Sequence, residues 1–106
     1  MSSEPTDVTE TTGASDVLGF EISLLAFVAN KYEPDATALL EDMNGWYDAD
    51  FGYQRVYSTL ERFNDRGLVE KKSIDGRSNC YMITQKGAVL VKEHREMVEK
   101  QTENIE

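Results

Sequence analysis

Asp75-Gly76 lies between two strand-like runs, Leu68 to Ile74 and Arg77 to Ile83, and is the strongest local constraint in the chain. A two-residue hairpin turn needs positive φ at its centre, which Gly supplies without strain. The spacing predicts an antiparallel hairpin that pairs Ile74 with Arg77, Ser73 with Ser78, Lys72 with Asn79 and Lys71 with Cys80. The segments on either side carry helical rather than alternating spacing. The chain is therefore expected to be α+β, mainly α, with a two-stranded hairpin set among helices.

Residues 1–15 are Ser, Thr, Glu, Asp and Gly with almost no apolar content, and are expected to form a disordered acidic tail. From a cap at Ser15 or Asp16, Val17 to Asn30 reads as a buried first helix (Leu18, Phe20, Ile22, Leu24, Leu25, Phe27, Val28). Pro34 suits the first turn of a second helix, whose Ala36, Leu39, Leu40 and Met43 follow at i, i+3, i+4 and i+7, and Gly45 is expected to end it. After a connector with Trp46 and Tyr47, Asp50 can cap a third helix from Phe51 to Arg66. Its buried stripe is Tyr53, Val56, Leu60 and Phe63, and Gly67 is its terminator. Thr84 can cap a last helix from Gln85 to about Gln101, ahead of a frayed acidic end. The expected division is a tail (1–15), a domain of three helices and a hairpin (16–84) and a C-terminal helix with a frayed end (85–106).

At 106 residues the chain suits one compact domain. No apolar run is long enough to span a bilayer, and the acidic N-terminus is unlike a secretory signal. The single cysteine, Cys80, has no disulfide partner in the chain, in keeping with a soluble, cytoplasmic protein. The formal net charge of −9 argues against a phosphate-rich partner, but it is unevenly spread. Residues 1–50 hold eleven acids against Lys31 alone, whereas residues 51–91 hold seven basic residues against four acids, a local excess of +3. Such segregation points to a binding face.

On the third helix Arg55, Arg62 and Arg66 fall at i, i+7 and i+11, on one flank away from the apolar stripe. Gln54, Ser58 and Thr59 share or border that outer surface. Arg suits guanine, Gln suits adenine, and Ser and Thr suit phosphates or bases, so Arg55, Ser58, Thr59 and Arg62 are candidates for a major groove with Gln54 at its rim. In the hairpin register above, Lys72, Arg77 and Asn79 project together near the tip, and with Lys71 they suit the backbone or minor groove. The plainer reading is a solvated helix whose arginines pair with Glu61 and Asp65, and a hairpin edge blunted by charge. Helix and hairpin together favour duplex DNA. The alternative is a protein-interaction module whose acidic first half docks a basic partner.

The last helix carries a stripe of Leu90, Val91, His94, Met97 and Val98, in steps of three and four, which a second copy of the chain would bury. His94 could titrate in that seam and Cys80 could form a thiolate near a lysine, but packing explains each more simply. Tyr57 can send its hydroxyl to phosphate or close the rim of the core. No phosphate loop, metal-ligand pair or nucleophile with a histidine partner is present, so the reading assigns no enzyme activity, cofactor or metal.

Val56-Tyr57-Ser58-Thr59-Leu60-Glu61-Arg62-Phe63, Arg66-Gly67-Leu68-Val69, Gly76-Arg77 and Tyr81-Met82-Ile83-Thr84-Gln85-Lys86-Gly87 resemble the recognition helix and wing of PadR-like winged-helix regulators. The likeness covers roughly residues 17–100 and is specific over 56–87. It implies a winged helix-turn-helix of three helices, a two-stranded wing at Lys71 to Asn79 and a C-terminal dimerisation helix, with Tyr57 on the recognition helix. The expected function is sequence-specific transcription regulation by a homodimer on a pseudo-palindromic site. Two features depart from the family: Pro34-Asp35-Ala36-Thr37-Ala38 lacks its His-Gly-Tyr, and the wing's return strand is about one residue short. The acidic composition is similar to that of haloarchaeal members, including one tied to oxidative stress. In molar KCl, carboxylates near DNA phosphates are then expected to take up K+ ions.

Overall fold

The computed structural model describes residues 19–76 and 78–105. The expected acidic tail, the Ser15 or Asp16 cap, Val17, Leu18 and Arg77 lie outside the described residues. The elements run α1 (Phe20–Asn30), α2 (Ala36–Tyr47), α3 (Tyr53–Asp65), β1 (Val69–Ser73), β2 (Asn79–Ile83) and α4 (Gln85–Gln101). This is the expected order, with three helices, a hairpin and a final helix.

The core forms where the apolar stripes of α1, α2 and α3 meet the base of the hairpin. Leu24, Leu25, Val28, Leu39, Met43, Val56, Leu60 and Tyr81 are all buried there. Burying side chains of this size contributes roughly 1.5–3 kcal/mol each against leaving them in water. Tyr53, expected in the α3 stripe, is instead exposed.

Three helix boundaries correct the sequence reading. The helix α2 begins at Ala36, so Pro34 lies outside its first turn: Asp35 is the cap and accepts from the Ala38 amide at 2.8 Å. Gly45 does not end it. Tyr47 continues the helix because its ring faces Phe51 and its hydroxyl meets Ser23 Oγ at 2.6 Å, and Asp48 makes the stop in the left-handed region (φ 51°). Nor does Asp50 cap α3, which starts at Tyr53 with Gly52 as N-cap. The Asn44 side chain grips both the N–H (2.6 Å) and the carbonyl (3.3 Å) of Phe51, holding the connector out of helical conformation.

The hairpin register also differs by one residue from the expected one. Ile74 N–H donates to the Ser78 carbonyl at 2.9 Å, so Ile74 faces Ser78 and not the expected partner one position earlier. Gly76 takes φ 85° and donates its N–H to Ser73 Oγ. The observed pairs are Ser73 with Asn79, Lys72 with Cys80 and Lys71 with Tyr81. A one-residue shift exchanges faces, because side chains alternate along a strand. Lys72 and Asn79 therefore project from opposite faces, not together as expected. The strand β2 also meets the α1–α2 connector: the Tyr81 N–H donates to the Pro34 carbonyl at 2.9 Å, and Asp35 bridges Cys80.

The end of α3, the start of β1 and the start of α4 meet at Thr84. Its hydroxyl lies 2.7 Å from the Gly67 carbonyl and 2.9 Å from that of Leu68, its N–H donates to Leu68, and its Oγ1 accepts from Gly87 N–H as the α4 cap. Gly87 packs so closely that a Cβ there would stand 2.2 Å from the Leu68 carbonyl oxygen. Gly87→Ala is accordingly expected to cost about 1–3 kcal/mol in urea denaturation. Thr84→Ala should cost about 1 kcal/mol, with Thr84→Ser close to the parent. An unchanged midpoint for Gly87→Ala would refute this docking of α4.

Candidate nucleic-acid interface

The outer surface of α3 runs between two flanks, one against α1 and one against the wing. Gln54 and Ser58 lie between them, Gln54 exposed and Ser58 half-buried. On the α1 flank, the Arg55 guanidinium stacks 3.9 Å above the Phe20 ring and 5.4 Å from that of Phe51. Arg62 forms an ion pair with Glu21 of α1. Phe20, Glu21, Arg55 and Arg62, with Ser58, Thr59 and the backbone start of α1 at Gly19, line a cleft of about 570 Å³. Arg66 is exposed as the C-cap of α3, its carbonyl accepting from Lys86 Nζ.

Thr59 does not face outward as the sequence reading expected. It is 2 % exposed, and its hydroxyl donates to the Arg55 carbonyl at 2.7 Å. At 100° per residue it lies about 40° from Phe63 and about 60° from Val56, at the edge of the apolar stripe next to the arginine flank, and the back-bond satisfies its one polar atom.

On the wing flank, Tyr53 and Tyr57 stack with ring centroids 6.0 Å apart. With Gln54, Thr37, Ser78, Asn79 and Tyr81 they line a polar cleft of about 400 Å³ between the helices and the hairpin. The shifted register puts Asn79 on this side, together with Lys71 and Tyr81. Lys71 pairs with Glu61 at 2.9 Å, and the buried Tyr81 hydroxyl donates to the same carboxylate at 3.1 Å. On the other wing face Lys72 pairs with Glu33 at 2.9 Å, and the buried Cys80 thiol lies 3.9 Å from that carboxylate.

These contacts set the electrostatics. The hydrogen bond that Lys72 donates to Glu33 lowers the Glu33 carboxyl from its ordinary value and raises Lys72. The Glu61 hydrogen bond likewise raises Lys71. Glu61, whose place on α3 suits an arginine partner, holds Lys71 instead. Glu21 and Glu33 escaped the sequence reading because their partners lie 41 and 39 residues away.

The face of α4 carrying the expected dimerisation stripe is divided. Val91 and His94 are half-buried, Val91 against the core, whereas Leu90, Met97 and Val98 are 40–49 % exposed. Among the described residues, no helix is long and apolar enough to cross a membrane and no cluster of three or more His, Cys, Asp or Glu suits a metal ion.

Burial, reinforced by the Glu61 hydrogen bond, raises the Tyr81 phenol above its ordinary value of about 10. The neutral phenol thus stabilises the fold below about pH 10, and that contribution is lost as pH rises towards the folded-state value. In urea denaturation from pH 8 to 11, Tyr81→Phe should lose less stability with pH than the parent. Parallel curves would count against this environment for Tyr81.

No protein-family model and no curated protein matches the chain. Solved structures do match in fold. RosR of H. salinarum superimposes with a TM-score of 0.73 at 24 % identity, over 78 % of this chain and 74 % of that one. A PadR family transcriptional regulator from Eggerthella lenta DSM 2243 gives 0.71 at 14 % identity, over 98 % and 94 %. A MarR family transcriptional regulator from Rhodococcus sp. RHA1 gives 0.63 at 17 % identity, over 83 % and 63 %. With α3 beside a two-stranded wing and α4 leading away, the chain has the winged-helix fold of these proteins.

Proposed function

We propose that the chain is a non-enzymatic, cytoplasmic transcription regulator that binds duplex DNA sequence-specifically, with α3 in the major groove and the wing on the flanking backbone or minor groove. The observation that carries this reading is the adjacency of α3 and the wing, with Arg55 and Arg62 on one side of Gln54 and Ser58, Lys71 on the near face of the wing and Lys72 on its far face. Arg55, Gln54 and Ser58 are the base-reading candidates, with Arg62 and Tyr57 at the edges. Lys71, Lys72 and Asn79 are assigned to the wing contact, and Arg77 joins them from the sequence alone. Thr59 leaves the contact set and supports α3 from within.

In fluorescence anisotropy with a panel of genomic duplexes, alanine at both Arg55 and Arg62 should abolish binding while Thr59→Val retains it. Unchanged affinity of the double variant would sink the DNA reading. The acidic surface further suggests a halophilic setting in which carboxylates beside phosphates take up K+, so the same titrations should show a shallow fall of affinity with KCl. A steep loss up to molar KCl would rule out that uptake.

The working unit in this proposal is a homodimer joined through α4. Leu90, Met97 and Val98 form an apolar face left open in the single chain, and burying it against a copy would place two recognition helices about one DNA turn apart, ~34 Å, over a pseudo-palindromic site. Met97→Glu with Val98→Glu should yield a monomer in sedimentation equilibrium. A dimer persisting in that variant would move the interface elsewhere.

A further inference from the structure

The two wing lysines are each held by a glutamate, and each of those glutamates is held a second time by β2. Lys72 lies opposite Cys80, and both reach Glu33; Lys71 lies opposite Tyr81, and both reach Glu61. Cys80 and Tyr81 are consecutive, so the same three-part arrangement appears on both faces of the wing. In each, a buried thiol or phenol and an exposed ammonium converge on one carboxylate.

A carboxylate offers an ammonium much the same oxygen pair as a phosphate. An exposed ion pair of flexible side chains would give way to a phosphate at little cost. Here the acids are not free to swing aside. Glu33 stands at φ 50°, a left-handed conformation that a side-chain-bearing residue takes up only against steric cost, next to a connector tied to β2 through Pro34 and Asp35. Glu61 sits in the middle of α3 and accepts a second bond, independent of Lys71, from the Tyr81 hydroxyl.

We propose that Glu33 and Glu61, anchored by Cys80 and Tyr81, are specificity-determining residues: fixed internal competitors that hold Lys72 and Lys71 away from phosphate. Contacts to the backbone alone must then displace both carboxylates, so sequence-independent binding is weak and only duplexes that also satisfy α3 are held. This rests on the proposed DNA binding and adds to it the acids that restrain it.

The test is anisotropy titration of the full chain at fixed KCl, with one duplex of scrambled sequence and the panel described above. Glu33→Gln and Glu61→Gln keep the shape and the acceptor oxygen but lose the charge. Each should tighten binding to the scrambled duplex by about three- to tenfold, with a smaller gain on the best duplex of the panel. The gain from Glu33→Gln should largely vanish in a Lys72→Met background, and that from Glu61→Gln in Lys71→Met, with circular dichroism confirming that each variant is folded. No gain, or a gain that survives loss of the lysine and so reflects only net charge, would overturn the proposal. Failure of the folded parent to bind any duplex would instead bring down the DNA reading on which it stands.

Discussion

The backbone carbonyl of Leu68 is where the fold is fastened. It accepts from both the amide and the hydroxyl of Thr84, one residue after α3 has been closed by Gly67, and Gly87 lies directly against it. These contacts fix the end of the recognition-helix candidate, the root of the wing and the first turn of α4 relative to one another. A buried carbonyl without these donors would cost roughly 1–3 kcal/mol, and a side chain at position 87 would force the helix off it. The angle between α3 and the wing, and the direction in which α4 leaves the domain, depend on this junction. Lys86 strengthens it by donating to the Arg66 carbonyl at the C-terminus of α3, where a positive charge is favoured by the helix dipole.

Around this frame the chain resolves the conflict between a net charge of −9 and a surface suited to phosphates. The cations are clustered on α3 and the wing, and several are paired: Arg62 with Glu21, Lys71 with Glu61 and Lys72 with Glu33. Such pairs, partly exposed to water, contribute little to folding. Their larger consequence is positional, since they draw long side chains into defined places on the α1 and wing flanks. Arg55 also stacks on Phe20, which couples the α3 surface to the first turn of α1.

Much of the architecture was legible because local signals agreed with the tertiary answer. Gly67 takes φ 75° just past α3, Thr84 caps α4, and the hairpin surrounds Gly76 at φ 85°. The failures arose where a distant group outweighed a local rule. Gly45 reads as a stop, yet Tyr47 gains a partner in Ser23 and carries α2 onward; Asp50 reads as a cap, yet Asn44 clamps Phe51 and delays α3. The register slipped by one because Asp75-Gly76 fits a two-residue turn, while the Ser73 hydroxyl holds the Gly76 amide and Ile74 bonds to Ser78. In the candidate interface the arginine flank was readable from spacing on α3. The burial of Thr59 follows from its place beside Phe63 on α3, but its hydroxyl reads as an outward group until the Arg55 carbonyl is counted as its partner. The roles of Glu21 and Glu33 depend on contacts that no local pattern encodes.

The central claim is that α3 and the wing together form the surface that meets duplex DNA. Hydrogen–deuterium exchange of the full chain, with and without a duplex it binds, tests this most directly. The account predicts slowed exchange in peptides covering Tyr53 to Arg66 and Lys71 to Asn79, with α2 from Glu41 to Tyr47 unchanged. Protection confined to α1, α2 or α4, with α3 and the wing unaffected, would contradict it.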